Sequence, residues 1–131
     1  MILVDSNIPM YLVGEDHPNK ERARSALGRL AVAGERLVSD AEVLQEILHR
    51  YLAIRRKDAI DPALETLIGL TREIFAVTVE DVMRARRLVG GSSRLSARDA
   101  IHVAVMERTG VTRILSFDRG FDAVPGIQRE A

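Results

Sequence analysis

Four acidic residues stand where this sequence predicts the ends of strands or the early turns of helices: Asp5, Glu46, Asp99 and Asp118. Asp5 directly follows the apolar run at residues 2–4, and Asp118 follows the run at residues 114–117. Carboxylates gathered in one crevice repel one another and lose hydration, so such a group is stable mainly around hard cations. If the four side chains converge, they form a site for Mg²⁺, with Mn²⁺ as a possible substitute.

Each acid also has a purely structural interpretation. Asp5 is placed to cap the following helix, and Asp99 is spaced from Ser96 as in a capping box. Asp118 is placed for an Asx turn, and Glu46 for an exposed helical position. These interpretations explain the acids one at a time, but not why Asp5 and Asp118 both end apolar strands. Ligands of open α/β sheets collect at such strand ends, so we favour a shared crevice.

Other side chains near these acids are assigned different roles. Asn7 and Ser116 are placed to donate hydrogen bonds that orient the carboxylates. His102 lies three residues after Asp99 and shares its helix face, but hard cations prefer oxygen ligands, so we expect a packed or hydrogen-bonded histidine. Glu42 lies one helical turn before Glu46 and is an alternative to it. We assign Glu42 to the positive end of the helix dipole instead.

Composition excludes several kinds of site. The 131 residues include no cysteine, which excludes disulfides, thiolate metal sites and a cysteine nucleophile. Nineteen Lys and Arg balance nineteen Asp and Glu, so nucleic-acid binding would need a local basic patch. Candidate patches are Arg50 with Arg55, Arg56 and Lys57; Arg84 with Arg86 and Arg87; and Arg94 with Arg98. Taken singly, each of these patches is more typical of a solvated helix face.

Alternating β-type and helical runs predict a single α/β domain spanning residues 1–131, with a parallel sheet covered by helices on both faces. Strands are predicted at residues 2–4, 36–39, 74–79 and 113–116. Helices are predicted to start near Pro9, at Pro18, after Ser39 or Asp40, at Asp61, after Thr78 and after Ser96, and residues 90–93 are predicted to be a loop. The third of these helices should bury Val43, Leu44, Ile47, Leu48 and Leu52. The apolar start is too short for a signal peptide or membrane span, so we expect a cytoplasmic protein with no membrane contact.

Several motifs resemble those of PIN domains. Asp5-Ser6-Asn7 after the first strand resembles their opening aspartate motif, and residues 43–46 resemble their glutamate-bearing helix. The segments LSARDAIHVA (residues 95–104) and ILSFDRGFD (residues 114–122) resemble the carboxyl-terminal half of VapC toxins. These motifs follow one another along the sequence, and the resemblance covers the whole chain.

This resemblance implies a three-layer PIN-like fold with four or five parallel strands, and a homodimer. It implies an endoribonuclease in which Asp5, Glu46, Asp99 and Asp118 bind Mg²⁺ and a metal-activated water attacks RNA. The chain would then be the toxin of a type II toxin–antitoxin pair, inhibited by a cognate small antitoxin protein. The alternative is a catalytically silent PIN-like module that binds RNA or protein, but such a module has no reason to keep four mutually repulsive acids.

Three other α/β classes do not match. A phosphorelay receiver needs an acceptor aspartate after the third strand and a lysine after the fifth, but no lysine occurs after Lys57. A haloacid-dehalogenase-type phosphatase needs two aspartates at the first strand end, where this chain has Asp5 and Asn7. A dinucleotide-binding domain needs a glycine-rich first turn, which this chain lacks.

The first prediction is that millimolar Mg²⁺ or Mn²⁺ raises the melting temperature, because a ligand that binds only the folded state stabilises it by mass action. Thermal melting with and without each cation measures this effect. The stability of Asp5→Asn is measured in parallel and should differ from that of the wild type, because the variant removes one of the predicted cation ligands. Melting that is indifferent to both cations, together with unchanged stability of Asp5→Asn, would contradict the predicted site.

Overall fold

The computed structural model describes residues 1–91 and 95–131, and these residues contain one five-stranded, entirely parallel sheet. The strands are β1 (Ile2–Val4), β2 (Leu37–Asp40), β3 (Glu73–Phe75), β4 (Arg113–Leu115) and β5 (Gln128–Glu130). The α-helices are α1 (Asn7–Val13), α2 (Pro18–Val32), α3 (Ala41–Ala53), α4 (Ile60–Leu70), α5 (Val79–Gly91) and α6 (Ala97–Thr109). Short 3₁₀ turns occur at Lys57–Ala59 and Arg119–Ala123.

The strands lie in the order β3-β2-β1-β4-β5, so the direction of winding reverses between β3 and β4. α1 packs against α2 and α4, while α5 packs against α6. Because crossovers between parallel strands are right-handed, the reversal sends these two groups of helices to opposite faces of the sheet. This three-layer α/β arrangement is the predicted fold class.

The central strand β1 positions the first candidate acid. Ile2, Leu3 and Val4 are fully buried, as expected for a parallel strand covered on both faces. Val4 pairs with Leu115 of β4, and the Asp5 N–H donates to the Leu115 carbonyl over 3.0 Å. The predicted neighbouring strands are therefore adjacent, and their carboxyl ends meet at the point where the strand order reverses.

The start of α3 distinguishes between the two predicted caps. Asp40 is the cap, because its Oδ1 accepts from the Val43 N–H over 2.9 Å. The Ser39 hydroxyl instead donates to the Val4 carbonyl over 2.8 Å and ties β2 to β1.

The predicted apolar face of α3 was partly wrong. Leu48 and Leu52 are 44% and 47% exposed, whereas Tyr51 is buried. Buried positions 43, 47 and 51 follow the four-residue spacing of one helix face. The predicted apolar face was wider and included positions 48 and 52. α3 therefore buries a narrow stripe and leaves two leucines half exposed.

The third strand is shorter than predicted. It ends at Phe75, and Val79 is 75% exposed as the first residue of α5. The reason is the capping box, in which the Thr78 N–H donates to Asp81 and the Asp81 N–H donates back to Thr78. A residue committed to a helix cap cannot extend the strand.

Two other boundaries differ from the predictions, and part of one lies outside the described residues. Gly90 and Gly91, predicted to be in a loop, are the last residues of α5, while Ser92 and Ser93 of that loop lie outside the described residues. The strand β5 was not predicted as a separate element. Its residues 128–130 are all polar, which conceals an edge strand from a search for apolar runs.

α6 has a capping residue at each end. The Ser96 hydroxyl accepts from the Asp99 N–H over 3.1 Å, and Gly110 ends the helix with a φ of 76°. Only glycine adopts this left-handed conformation without steric cost. These two residues fix the ends of the helix that carries Asp99 and His102. Among the described residues, the structure contains no helix long and apolar enough to cross a membrane.

We predict that Gly110→Ala lowers the free energy of unfolding by about 1 to 2 kcal/mol, because alanine is strained in the left-handed region. The matched control is Gly28→Ala within α2, where an added Cβ meets open space and no positive φ is required. There, alanine should stabilise the helix by about 0.5 to 1 kcal/mol. Chemical denaturation measures both variants. Equal effects of the same sign would contradict the assignment of Gly110 as a strained helix end.

Candidate metal centre

Asp5 is the most constrained of the predicted acids. It is 3% exposed at the end of β1, and its Oδ2 accepts from the Ser116 hydroxyl over 2.6 Å. The Asn7 side-chain amide donates to the same oxygen over 3.4 Å and to Ser116 over 3.2 Å. The Ser6 N–H donates to Oδ1 over 2.8 Å. The two donors suggested by the sequence, Asn7 and Ser116, thus both contact Asp5 and hold its carboxylate in one orientation.

Asp99 and Asp118 lie together at the more open side of Asp5. Burial, followed by the charges of Asp5 and Asp118, raises the pKa of Asp99 to about 7. Asp118 is exposed and accepts from the Gly120 N–H over 2.8 Å. Asp118 therefore forms the predicted Asx turn, and this turn brings its carboxylate next to Asp99.

Glu46 approaches Asp5 from α3. Its Oε2 accepts from the Ser6 hydroxyl over 2.7 Å, and its Oε1 lies 2.6 Å from His102 Nε2. Burial, with a smaller contribution from the charge of Glu46, raises the pKa of Asp5, while His102 acts in the opposite direction. Asp5 and Glu46 are therefore close enough to repel each other.

His102 lies beneath these acids and is fully buried. Its Nδ1 is 2.7 Å from Asp40 Oδ2, and its Nε2 is 3.9 Å from Asp5 Oδ1. Burial by itself lowers the pKa of His102, but Asp40 and the hydrogen bond that the ring donates to Glu46 more than offset burial, so the pKa lies well above its ordinary value. As expected, His102 is packed and hydrogen-bonded, but its partners belong to the acidic cluster.

The structure thus joins the four predicted acids to two further residues. Asp118 adjoins Asp99, Asp99 is close to Asp5, and Asp5 is close to Glu46. One carboxylate oxygen each from Asp5 and Glu46 and one ring nitrogen of His102 lie within 4.8 Å of one another. Asp40 was missed as part of this cluster because its sequence position indicated only a helix cap. The donors are mainly carboxylate oxygens, which suit Mg²⁺ or Mn²⁺.

Glu42 lies at the edge of the cluster. It is half-buried, and burial raises the pKa of its carboxyl, with a smaller contribution from Glu46. The contacts to His102 and Ser6 belong to Glu46 and not to Glu42. The geometry therefore favours Glu46 as the acid of α3 that faces Asp5.

A cavity of about 590 Å³ opens beside Glu46 and is also lined by Ser6, Asn7, Arg50 and Arg98, among others. Tyr11 and His17 also line this cavity. Other residues of the candidate basic patches are paired with acids. Arg56 forms two hydrogen bonds with Asp58, and Arg84 forms two with Glu107. Arg94 lies outside the described residues.

Comparison with known proteins identifies the family. The sequence profile described as "PIN domain" matches residues 2–127. The chain belongs to the PIN-domain family. It is 56% identical over 131 residues, covering all of both chains, to a VapC ribonuclease of Mycobacterium bovis and to ribonuclease VapC13 of Mycobacterium tuberculosis. These relatives place this PIN domain in the VapC group, as the resemblance of its motifs implied.

Solved structures agree with this PIN-domain fold. VapC20 of Mycobacterium tuberculosis, described as a sarcin–ricin loop cleaving toxin, superposes with a TM-score of 0.75 at 22% identity and covers 94% of each chain. The VapBC2 structure of Rickettsia felis, bound to a promoter DNA fragment, superposes with a TM-score of 0.74 at 15% identity. It covers 99% of this chain and 98% of that chain.

We predict that the metal-free protein loses stability as the pH rises from about 4 to about 7. The pKa of Asp99 is about 7 in the folded protein against an ordinary value of 3.8, so the folded state binds this proton more tightly than the unfolded chain does. The resulting stabilisation is complete below the ordinary pKa and is lost as the pH rises through the folded one.

The measurement is the free energy of unfolding in EDTA at about pH 5 and about pH 8, on either side of the raised pKa. Asp99→Asn should remove much of the difference between the two pH values, and Mg²⁺ should restore stability at the higher pH. A pH dependence that is unchanged in Asp99→Asn would show that another group causes it.

Proposed function

We propose that this chain is a metal-dependent endoribonuclease that acts as the toxin of a type II toxin–antitoxin pair. The observation that carries the proposal is the linked cluster of Asp5, Glu46, Asp99 and Asp118 at the carboxyl ends of β1 and β4. The full-length relatives at 56% identity, which are named ribonucleases, support the same function.

In this proposal Asp5, Glu46, Asp99 and Asp118 hold Mg²⁺, and Mn²⁺ can substitute. When bound, the cation lowers the pKa of a coordinated water and stabilises charge on the phosphate. Asn7 and Ser116 hold the Asp5 carboxylate, and Ser6 bridges Asp5 to Glu46 through its N–H and hydroxyl. The exposed Asp118 and the partly exposed Asp99 form the side of the cluster that an RNA phosphate can reach.

Two guanidinium groups are available for the RNA backbone near this cluster. Arg50 and Arg98 line the cavity beside Glu46. Guanidinium groups bind phosphate oxygens by charge-assisted hydrogen bonds, whereas the chain as a whole carries a net charge of zero. The local patch supplies the attraction that the overall charge lacks.

We also propose a small antitoxin partner that inserts a basic side chain, such as arginine, among the acids, where its charge substitutes for that of the cation. The structural neighbour VapBC2 from Rickettsia felis supports an antitoxin partner. The predicted homodimer and cytoplasmic location are part of the same proposal. A catalytically silent module is disfavoured because the cluster keeps all four acids, and Asp99 is held near two other carboxylates at an energetic cost.

We expect Asp118→Asn and Glu46→Gln each to lower metal-dependent RNA cleavage by about 100-fold or more, because each removes a carboxylate that holds the cation, and the cation stabilises the charge of the transition state. Gel assays on purified protein with Mg²⁺ or Mn²⁺ measure the rate, and circular dichroism checks folding. Arg87→Ala, an exposed position on α5, is the control and should cleave at the wild-type rate.

Glu42→Gln separates the two glutamates of α3. It should cost a few tenths of a kcal/mol of stability through the helix dipole and leave most of the cleavage activity. An inactive Glu42→Gln with an active Glu46→Gln would move the assignment one turn toward the amino terminus. Wild-type protein that cuts no RNA with either cation would overturn the proposed activity.

A further inference from the structure

We propose that His102, anchored by Asp40, is a positioning residue that fixes the Glu46 carboxylate at the metal centre. This inference rests on the proposed function, because it concerns the same cluster of acids. The supporting observation is an unbroken line of three side chains, from Asp40 Oδ2 to His102 Nδ1 over 2.7 Å and from His102 Nε2 to Glu46 Oε1 over 2.6 Å.

The first step of the argument is that Asp40 is itself immobile. It is fully buried at the end of β2, and its second oxygen, Oδ1, accepts from the Val43 N–H as the cap of α3. A carboxylate held by a helix cap and excluded from water has no alternative partner to turn to. Asp40 therefore offers His102 a fixed acceptor.

The second step is the rigidity of the imidazole ring. Once Asp40 holds Nδ1, the planar ring leaves Nε2 no independent torsion, so the position of Nε2 is set as well. His102 is fully buried on α6, and both of its ring nitrogens contact carboxylate oxygens. The ring therefore holds Nε2 at a fixed distance from the β2–α3 junction, and Nε2 is the atom that contacts Glu46.

The third step concerns Glu46, whose side chain has three rotatable bonds and several staggered conformers. His102 contacts Oε1 and the Ser6 hydroxyl donates to Oε2. Because these two contacts come from different parts of the fold, together they select one conformer of Glu46. Glu46 also lies close to the charge of Asp5, which would push a free carboxylate away. His102 holds Glu46 against that repulsion and keeps it where a cation would bind both acids.

If His102 instead competed with the cation for Glu46, its removal would change the metal affinity in the opposite direction. A ring that donates to Glu46 occupies an oxygen that a cation needs, so removal of His102 would then tighten metal binding. Positioning predicts weaker binding after removal, because the partners that orient ligating carboxylates typically contribute tenfold or more to metal affinity. The affinity for the metal alone therefore distinguishes the two roles.

The experiment measures Mn²⁺ binding by titration calorimetry in wild type, His102→Asn and His102→Gln. Asparagine places its amide nitrogen where Nδ1 lies and keeps the contact with Asp40, whereas glutamine reaches the position of Nε2 and the contact with Glu46. We expect His102→Asn to weaken Mn²⁺ binding by about tenfold or more and His102→Gln to weaken it by less. Circular dichroism and thermal melting establish that both variants are folded.

A double-mutant cycle with Glu46→Gln tests whether His102 acts through Glu46. In the Glu46→Gln background, His102→Asn should cause little further loss of Mn²⁺ affinity, since the group that it positions is already changed. A purely structural role would produce the same loss in both backgrounds and would overturn the inference. Wild-type or tighter Mn²⁺ binding by His102→Asn would also overturn it.

Asp40→Ser provides a second variant if His102→Asn does not fold. Serine still accepts from the Val43 N–H as a helix cap but no longer reaches His102. Mn²⁺ binding should again weaken, and an unchanged affinity would overturn the inference. Failure of the wild-type protein to bind Mn²⁺ at all would instead refute the proposed function, so the two failures are distinguishable.

Discussion

The repulsion among carboxylates gathered at one edge of a parallel sheet is the constraint on which the rest of this structure depends. β1 and β4 are neighbours, so the residues that follow them, Asp5 and Asp118, are brought to the same edge. α6 adds Asp99 and α3 adds Glu46. Burial and the nearby charges raise the pKa of Asp99 to about 7, which shows how poorly this edge tolerates uncompensated negative charge.

Two sets of contacts hold the acids in place against that repulsion. Ser6, Asn7 and Ser116 donate to Asp5, while Ser6 and His102 contact Glu46. These contacts come from elements on both sides of the sheet edge, so the cluster also joins α3 and α6 to β1. The same interactions that orient the acids therefore contribute to the docking of the helices. Function and packing are not separable at this edge.

Much of the fold followed from local signals, and the differences have local causes. The apolar runs of β1 and β4 marked buried strands, and the Ser96 and Gly110 signals marked both ends of α6. β3 was predicted too long because β-type residues run into a helix cap at Thr78. β5 was not predicted because an edge strand can be polar throughout. Burial of one face of α3 depended on which helices pack against it, and periodicity alone predicted a wider face than is buried.

What the sequence by itself determined is the set of acids, since Asp5 and Asp118 end apolar runs and Asp99 and Glu46 lie near helix starts. These are short-range patterns that can be recognised in the sequence without knowledge of the fold. What only the tertiary structure decided is the link from Asp40 through His102 to Glu46. Asp40 and His102 are 62 residues apart, and each has an ordinary local role, as a helix cap and as a buried helical residue. Their contact arises because packing against the same sheet brings the start of α3 to the side of α6, and no short-range pattern encodes that approach.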